Sequence, residues 1–234
     1  MSNIESINSF FKSINYISPW IYFDSMAWDE FDQSMAICFR KNQVVFVQNE
    51  ISEYVYIVKS GRLRIFHTDS NGKENCIYIA EKGSLIGESS IIDDQPNFYS
   101  VVTIIDSQLH KIAKNDFLNA IQNNSHLNLK VLQNFSRKLR ALSSEIEFFS
   151  KNSQTRVAVS LLSLAVRYGK DHGQNILISI RFTHEELAYL TNLNRVTVSN
   201  IFLDLFKKGI ITKTNGYVAL SDVDALKKMG QHCL

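Results

Sequence analysis

Two periodicities divide the chain. From about Cys38 to Ile112, β-branched and aromatic residues run in short stretches, whereas after Lys114 apolar residues recur every three to four positions. The first texture predicts strands and the second predicts helices. Strands are expected at Gln43–Val47, Tyr54–Lys59, Arg62–Thr68, Glu74–Ala80, Ser100–Ile105 and Gln108–Ala113. Ser60-Gly61, Asp69-Ser70-Asn71-Gly72 and Lys82-Gly83-Ser84 separate them, and Asn71-Gly72 suits a type I′ hairpin because both residues tolerate positive φ. Strands this closely spaced indicate a small antiparallel sandwich or jelly roll. The aromatic-rich segment before them (Phe10, Phe11, Tyr16, Trp20, Tyr22, Phe23, Trp28, Phe31) reads as an irregular or helical arm packed on that body.

In the helical part, a short helix at Asn115–Asn123 precedes a long one from about Ser125 to Ser150. In the long helix Leu132, Phe135, Leu139, Leu142, Ile146 and Phe149 follow a 3-4-3-4-3 spacing, the a/d pattern of a helix that pairs with another helix. A stripe this narrow favours pairing with a second copy of the chain. Arg137, Lys138, Arg140 and Glu145 lie off it, and Asn152-Ser153-Gln154 reads as a hinge. Beyond the hinge come a helix at Thr155–Tyr168, a break at Gly169–Gly173, a strand at Ile176–Ile180, helices at Thr183–Leu190 and Arg195–Lys207, and a closing hairpin over 210–220. The expected organisation is an α+β chain: an effector-sensing β-roll with its arm at 1–124, a dimerisation helix and hinge at 125–152, and a winged helix-turn-helix at 153–234.

The stretch 182–211 carries the chemistry of DNA reading. Thr183 and Glu186 form a capping-box pattern, Asn192 suits a left-handed turn position, and Asn194 can cap the second helix. Val198, Ile201, Phe202 and Leu205 make that helix's inner face, which leaves Arg195, Val196, Thr197, Ser199 and Asn200 outward near its N-terminus. In a helix-turn-helix this end meets base edges in the major groove. Thr183 is also expected to contact DNA, and Lys207, Lys208 and Lys213 are expected near phosphates, which give affinity but little sequence information. Charge agrees: residues 154–234 carry 10 Lys/Arg against 6 Asp/Glu, and residues 1–153 carry 15 against 17.

Composition excludes several classes. No apolar run approaches the roughly eighteen residues of a membrane span, and no basic segment followed by an apolar core marks a signal peptide. Cys38, Cys76 and Cys233 are odd in number and far apart, with no metal-ligand spacing, which suits a reducing cytoplasm. A β-roll enzyme with an assembly domain would need a ligand cluster such as H-x-H, and none occurs.

In this order and length, the roll, long helix, hinge and winged helix resemble the Crp/Fnr family of bacterial regulators. The resemblance covers nearly all of residues 35–225 and rests on three segments: Gly83-Ser84-Leu85-Ile86-Gly87-Glu88 with 89–100 after it, Thr155-Arg156-Val157-Ala158, and 182–211. It implies a homodimer that binds double-stranded DNA, contacts RNA polymerase and answers to a small effector, with no catalytic residue. In that family the Gly-Glu segment opens a phosphate cassette completed by Arg-Ser. Here Gly87, Glu88 and Ser100 match, but Tyr99 fills the Arg position, which argues against cyclic AMP. The absence of cysteine before Cys38 argues against an iron–sulfur cluster, and neither His67 nor His110 has a haem-ligand context. The segment 84–87, the aromatic arm, Tyr78, Lys138 and the stretch 196–199 look most like the halophenol-responsive regulators of halorespiration. That likeness implies a small apolar or aromatic effector lined by Tyr78, Gly87, Glu88, Tyr99, Ser100, Phe135 and Lys138, with Glu88 disfavouring a phenolate. In the recognition helix Arg195 matches a DNA-contacting Arg, while Val196 and Asn200 replace the family's usual Glu and Arg. Asn pairs with adenine and Val packs on a thymine methyl, so an A/T-rich palindrome is expected. An effector-independent DNA binder remains the alternative.

Overall fold

The computed structural model describes residues 3–14, 16, 18, 20, 21, 25–31 and 34–231. The chain divides into two compact units, one of Pro19–Leu142 and the other of Met1–Ser18 with Ser143–Leu234. Cys233 lies outside the described residues.

The first unit is a β-roll of two sheets. One contains β1 (Trp20–Ile21), β3 (Val44–Phe46), β5 (Leu63–Thr68), β6 (Glu74–Ala80) and β8 (Ser100–Thr103), in the order β1-β6-β5-β8-β3. The other contains β2 (Met35–Phe39), β4 (Tyr54–Ser60), β7 (Leu85–Ile86) and β9 (Ser107–Ala113), in the order β2-β9-β4-β7. All pairings in this unit are antiparallel except that of β1 with β6. Alternate residues fill the interior, as the period-two pattern requires: Leu63, Ile65, Val101 and Leu109 are fully buried. Each such side chain contributes about 1.5–3 kcal/mol of burial.

Two helices close one end of the roll. They are α3 (Lys114–Asn123) and the first part of α4 (Ser125–Phe149); the five-residue α2 (Glu88–Ile92) sits in the cassette segment. Phe117, Leu127 and Val131 from the helices pack with Trp28, Phe31, Val55, Ile57, Leu85, Ile91 and Ile112. Along α4 the apolar residues separate by face. Leu127, Val131, Ala141 and Phe148 are buried, Phe135, Leu142 and Phe149 are half-buried, and Leu132, Leu139 and Ile146 stand 59%, 66% and 78% exposed. The exposed three recur at intervals of seven, the repeat of a pairing seam.

The second unit begins with α1 (Asn3–Ser13), which packs on α5 (Ser153–Tyr168) and α8 (Val223–Gln231). Ile7 and Phe10 are buried there, and a Cβ on Gly230 would fall 2.8 Å from the Phe10 ring, so α8 needs a glycine at the contact. The first part of the arm therefore belongs with the C-terminal unit, not with the roll. The segment expected as a break forms a hairpin of β10 (Gly169–His172) and β11 (Asn175–Ile178). This hairpin continues through β13 (Tyr217–Leu220) to β12 (Ile211–Thr214). The hinge is shorter than expected, because Asn152 already caps α5 by accepting from the Thr155 N–H.

The two Asn-Gly turns differ. At Asn215-Gly216 both residues have positive φ, as a type I′ turn requires. At Asn71-Gly72 only Gly72 does, because the Asp69 carboxylate accepts from the N–H groups of Asn71 and Lys73 and holds a longer loop.

Candidate DNA interface and sensor site

The helix-turn-helix consists of α6 (His184–Thr191) and α7 (Arg195–Lys207). Thr183 caps α6: its hydroxyl accepts from the Glu186 N–H at 3.1 Å, and the Glu186 carboxylate accepts from the Thr183 N–H at 2.6 Å. Asn192 ends α6 in the left-handed conformation, and the Asn194 side chain accepts from the Thr197 N–H to start α7. Leu187, Ala188 and Leu190 meet Val198, Ile201, Phe202 and Leu205 in the core between them.

Arg195, Val196 and Asn200 are exposed at the N-terminal end of α7, and Thr197 and Ser199 are half-buried beside them. Arg195 and Lys213 lie close enough to His184 to lower its pKa, after the larger effect of burial. A neutral His184 is thus a hydrogen-bond partner and not a phosphate-binding cation. Its Nδ1 stands 2.8 Å from the Ser199 hydroxyl and its ring lies against Phe202, so it fixes one of the outward residues. Lys207 and Lys208 do not share this end. They lie twelve and thirteen residues along α7 from Arg195, about 18–20 Å at 1.5 Å per residue. Lys208 is also paired with Asp204 at 2.7 Å. Lys213 is on the wing strand β12.

Two basic residues missing from the sequence-based set support this surface. Arg156 on α5 donates through Nη1 to the carbonyls of Thr191 (2.8 Å) and Asn192 (3.4 Å), tying down the turn between α6 and α7. Arg181 stacks over Tyr217, 5.4 Å from the ring centre, at the base of the wing. Neither was visible as a role because each acts on residues 35 or more positions away. Replacing Arg156 with alanine is expected to cost about 1.5–3 kcal/mol, the scale of a charge-assisted hydrogen bond. Thermal denaturation and operator titration of the variant check this, with both stability and DNA affinity expected to fall.

In the roll, the expected effector residues meet in part. Gly87 sits at φ 82° before α2, where a Cβ would approach the Tyr54 carbonyl to 3.1 Å. Its N–H donates to the Tyr99 hydroxyl at 2.9 Å. Lys138, instead of being solvated, turns inward from α4 and donates to the Glu88 carboxylate and to the Leu85 carbonyl, both at 2.7 Å. Asn134 also donates to the same Glu88 oxygen at 3.3 Å. Glu88, Asn134, Lys138, Tyr78 and Tyr99 are all at least nine-tenths buried. The second Glu88 oxygen and the Asn134 carbonyl oxygen are buried without hydrogen-bond partners, and the Tyr78 hydroxyl interacts with the Tyr99 side chain. Burial first, and the Glu88 charge after it, push the Tyr78 phenol well above its usual pKa; burial, Tyr78 and Glu88 do so for Tyr99. Both rings stay neutral.

Two expected members stand apart from this cluster. The Ser100 hydroxyl accepts from the Gln48 N–H, so it serves the neighbouring loop. Phe135 packs on the apolar core with Leu118, Ala120 and Ile121.

Residues 36–124 match the cyclic nucleotide-binding domain family, and residues 155–229 match the Crp-like helix-turn-helix domain family. The chain is 27% identical over 212 residues to the cyclic AMP receptor protein of Thermus thermophilus, covering 88% of this chain and 95% of that one. It is also 27% identical over 197 residues to a CRP-like cAMP-activated global transcriptional regulator of Mycobacterium tuberculosis, covering 84% and 88%. Among solved structures, CprK complexed with OCPA has a TM-score of 0.69 at 16% identity, covering 88% and 94%; that likeness is one of fold alone. A roll of this kind joined to such a helix-turn-helix defines a DNA-binding transcription regulator, not an enzyme. The chain belongs to the Crp/Fnr family. No helix among the described residues is long and apolar enough to cross a membrane.

Proposed function

We propose that the protein acts in the cytoplasm as a homodimer that binds an A/T-rich palindromic operator, contacts RNA polymerase and is controlled by a small effector other than a cyclic nucleotide. The observation that carries the DNA reading is the exposed trio Arg195, Val196 and Asn200 at the N-terminal end of α7, backed by Lys213 on the wing. Asn200 suits adenine N6/N7 and Val196 suits a thymine methyl. Pairing of α4 with a second copy supports half-sites about one helical turn apart. Selection from random double-stranded DNA with the full chain is expected to return inverted A/T-rich half-sites. Recovery of G/C-rich half-sites would sink the roles given to Val196 and Asn200.

The effector reading rests on the buried Tyr78–Glu88–Tyr99–Lys138 cluster. A cyclic-nucleotide phosphate would need the Gly87 N–H, which Tyr99 holds, and a cation, which Glu88 holds. A halophenolate, the effector suggested by the likeness to halophenol-sensing regulators, would have to displace Glu88 from Lys138. The two partnerless acceptor oxygens, on Glu88 and Asn134, instead suit an uncharged, largely apolar or aromatic molecule carrying a hydrogen-bond donor. Bound there, such a molecule would bias α4 and with it the recognition helices, provided that it binds the DNA-competent state more tightly. The self-satisfied Glu88–Lys138 pair also favours a second reading, in which operator binding needs no effector. Gel shift on the selected operator, with and without a small-molecule cell extract, separates the two: only the second reading expects equal affinity in both.

A further inference from the structure

A concave site with a volume of about 500 Å³ opens beside the sheet β2-β9-β4-β7, lined by residues other than those of the Glu88–Lys138 cluster. The register explains how it arises. Ile57 pairs directly with His110, and beyond Val58 the register shifts so that Ser60 pairs with Gln108 and Lys59 stands at the irregularity. Helical segments cover the sheet at Val55, Ile57 and Ile112. The cover ends before Lys59, and the cleft occupies the uncovered end.

Its chemistry is selective. Trp28, held by a 2.7 Å hydrogen bond from Nε1 to the Gly83 carbonyl, and Phe31 supply an aromatic wall, and both are buried. Lys59 and Lys82 line the rim against the single carboxylate of Asp29. His110 is only 6% exposed, and its hydrogen bonds run through Nδ1, to the hydroxyl and carbonyl oxygens of Ser34 at 3.2 and 3.3 Å. A carbonyl oxygen can only accept, so Nδ1 carries a proton, and in that tautomer of the imidazole Nε2 is the acceptor.

We propose that this cleft is a binding site for an aromatic hydroxy acid. The ring lies against Trp28 and Phe31, the hydroxyl donates to Nε2 of His110, and the carboxylate meets Lys59 and Lys82. A para-hydroxybenzoate carries all three of these groups: a ring, a hydroxyl and a carboxylate. The cleft size falls within the roughly 300–1,000 Å³ of small-molecule sites, and an apolar wall with a few convergent polar groups is their usual composition. The site is independent of the operator reading and of the buried cluster at Glu88.

Titration of the full-length chain with 4-hydroxybenzoate, followed by calorimetry and Trp28 fluorescence, tests the assignment. Saturable binding is expected, with benzoate and 4-hydroxybenzyl alcohol each weaker by about tenfold or more, since each leaves one polar group of the site unpaired. Lys59→Gln combined with Lys82→Gln, both at exposed positions, should weaken 4-hydroxybenzoate about tenfold without changing the melting temperature. His110→Phe should remove the preference for 4-hydroxybenzoate over benzoate. Absence of saturable binding overturns the proposal. Equal affinity for benzoate overturns it as well, as does binding that is unchanged in the double lysine variant.

Discussion

Replacing Lys138 with methionine is expected to destabilise the roll by about 3–5 kcal/mol, because it leaves the Glu88 carboxylate buried without its cation. Glu88 is 1% exposed, and Lys138 supplies the shortest of its contacts while also holding the Leu85 carbonyl. Both tryptophans of the chain, Trp20 and Trp28, lie in the Pro19–Leu142 unit, so their fluorescence in a urea titration reports on that unit's unfolding. Combining Lys138→Met with Glu88→Gln should recover much of the loss, since the buried charge goes together with its partner. A single substitution costing no more than a typical surface change, within about 0.5 kcal/mol, would mean that the pair is not formed.

The second large effect concerns the outward face of α4. Leu132→Asp with Leu139→Asp is expected to leave each chain folded, because both positions are more than half exposed. It should abolish self-association in analytical ultracentrifugation, since two carboxylates would be buried opposite their own copies. Operator affinity should then fall by about 10²-fold or more, as two linked half-site contacts become one. A variant that stays dimeric would remove α4 as the pairing surface and with it the twofold basis of the operator.

Local sequence rules carried most of the fold because they concern neighbours. The Thr183–Glu186 capping box, the left-handed Asn192 and the Asn194 cap each involve residues within a few positions, and all are present. Strand β6 begins and ends at the expected residues, and α7 does too. Elements without a buried face escaped: β2 and the paired strand at Gly169–His172 hold no buried residue, and β7 spans only two positions, so no apolar alternation registers. The Asn71-Gly72 turn was misread because the Asp69 side chain decides its geometry, and a dipeptide rule does not include it.

Long-range partners were illegible for a different reason. Lys138 and Glu88 are fifty residues apart, and neither residue's surroundings announce the other. Their attraction, however, reverses the sense of the site. A glutamate expected to repel an anionic effector is itself the anion that Lys138 binds. The same limit explains α1, whose Ile7 and Phe10 show an apolar face but not that α5 and α8 cover it. Arg156 was noticed within a telling segment, yet its hold on the turn at Thr191 and Asn192 comes from tertiary structure.

The protein's proposed role rests on sequence-specific DNA binding through the N-terminal end of α7. Fluorescence anisotropy of the full chain on a palindrome obtained by selection, compared with a scrambled duplex at the same salt concentration, tests it most directly when Arg195→Ala is measured beside the unsubstituted protein. Saturable binding by two chains per palindrome is expected, with a loss of about tenfold or more for Arg195→Ala at unchanged melting temperature. Equal binding to palindrome and scrambled duplex, or an Arg195→Ala variant that binds as tightly as the unsubstituted chain, would contradict it.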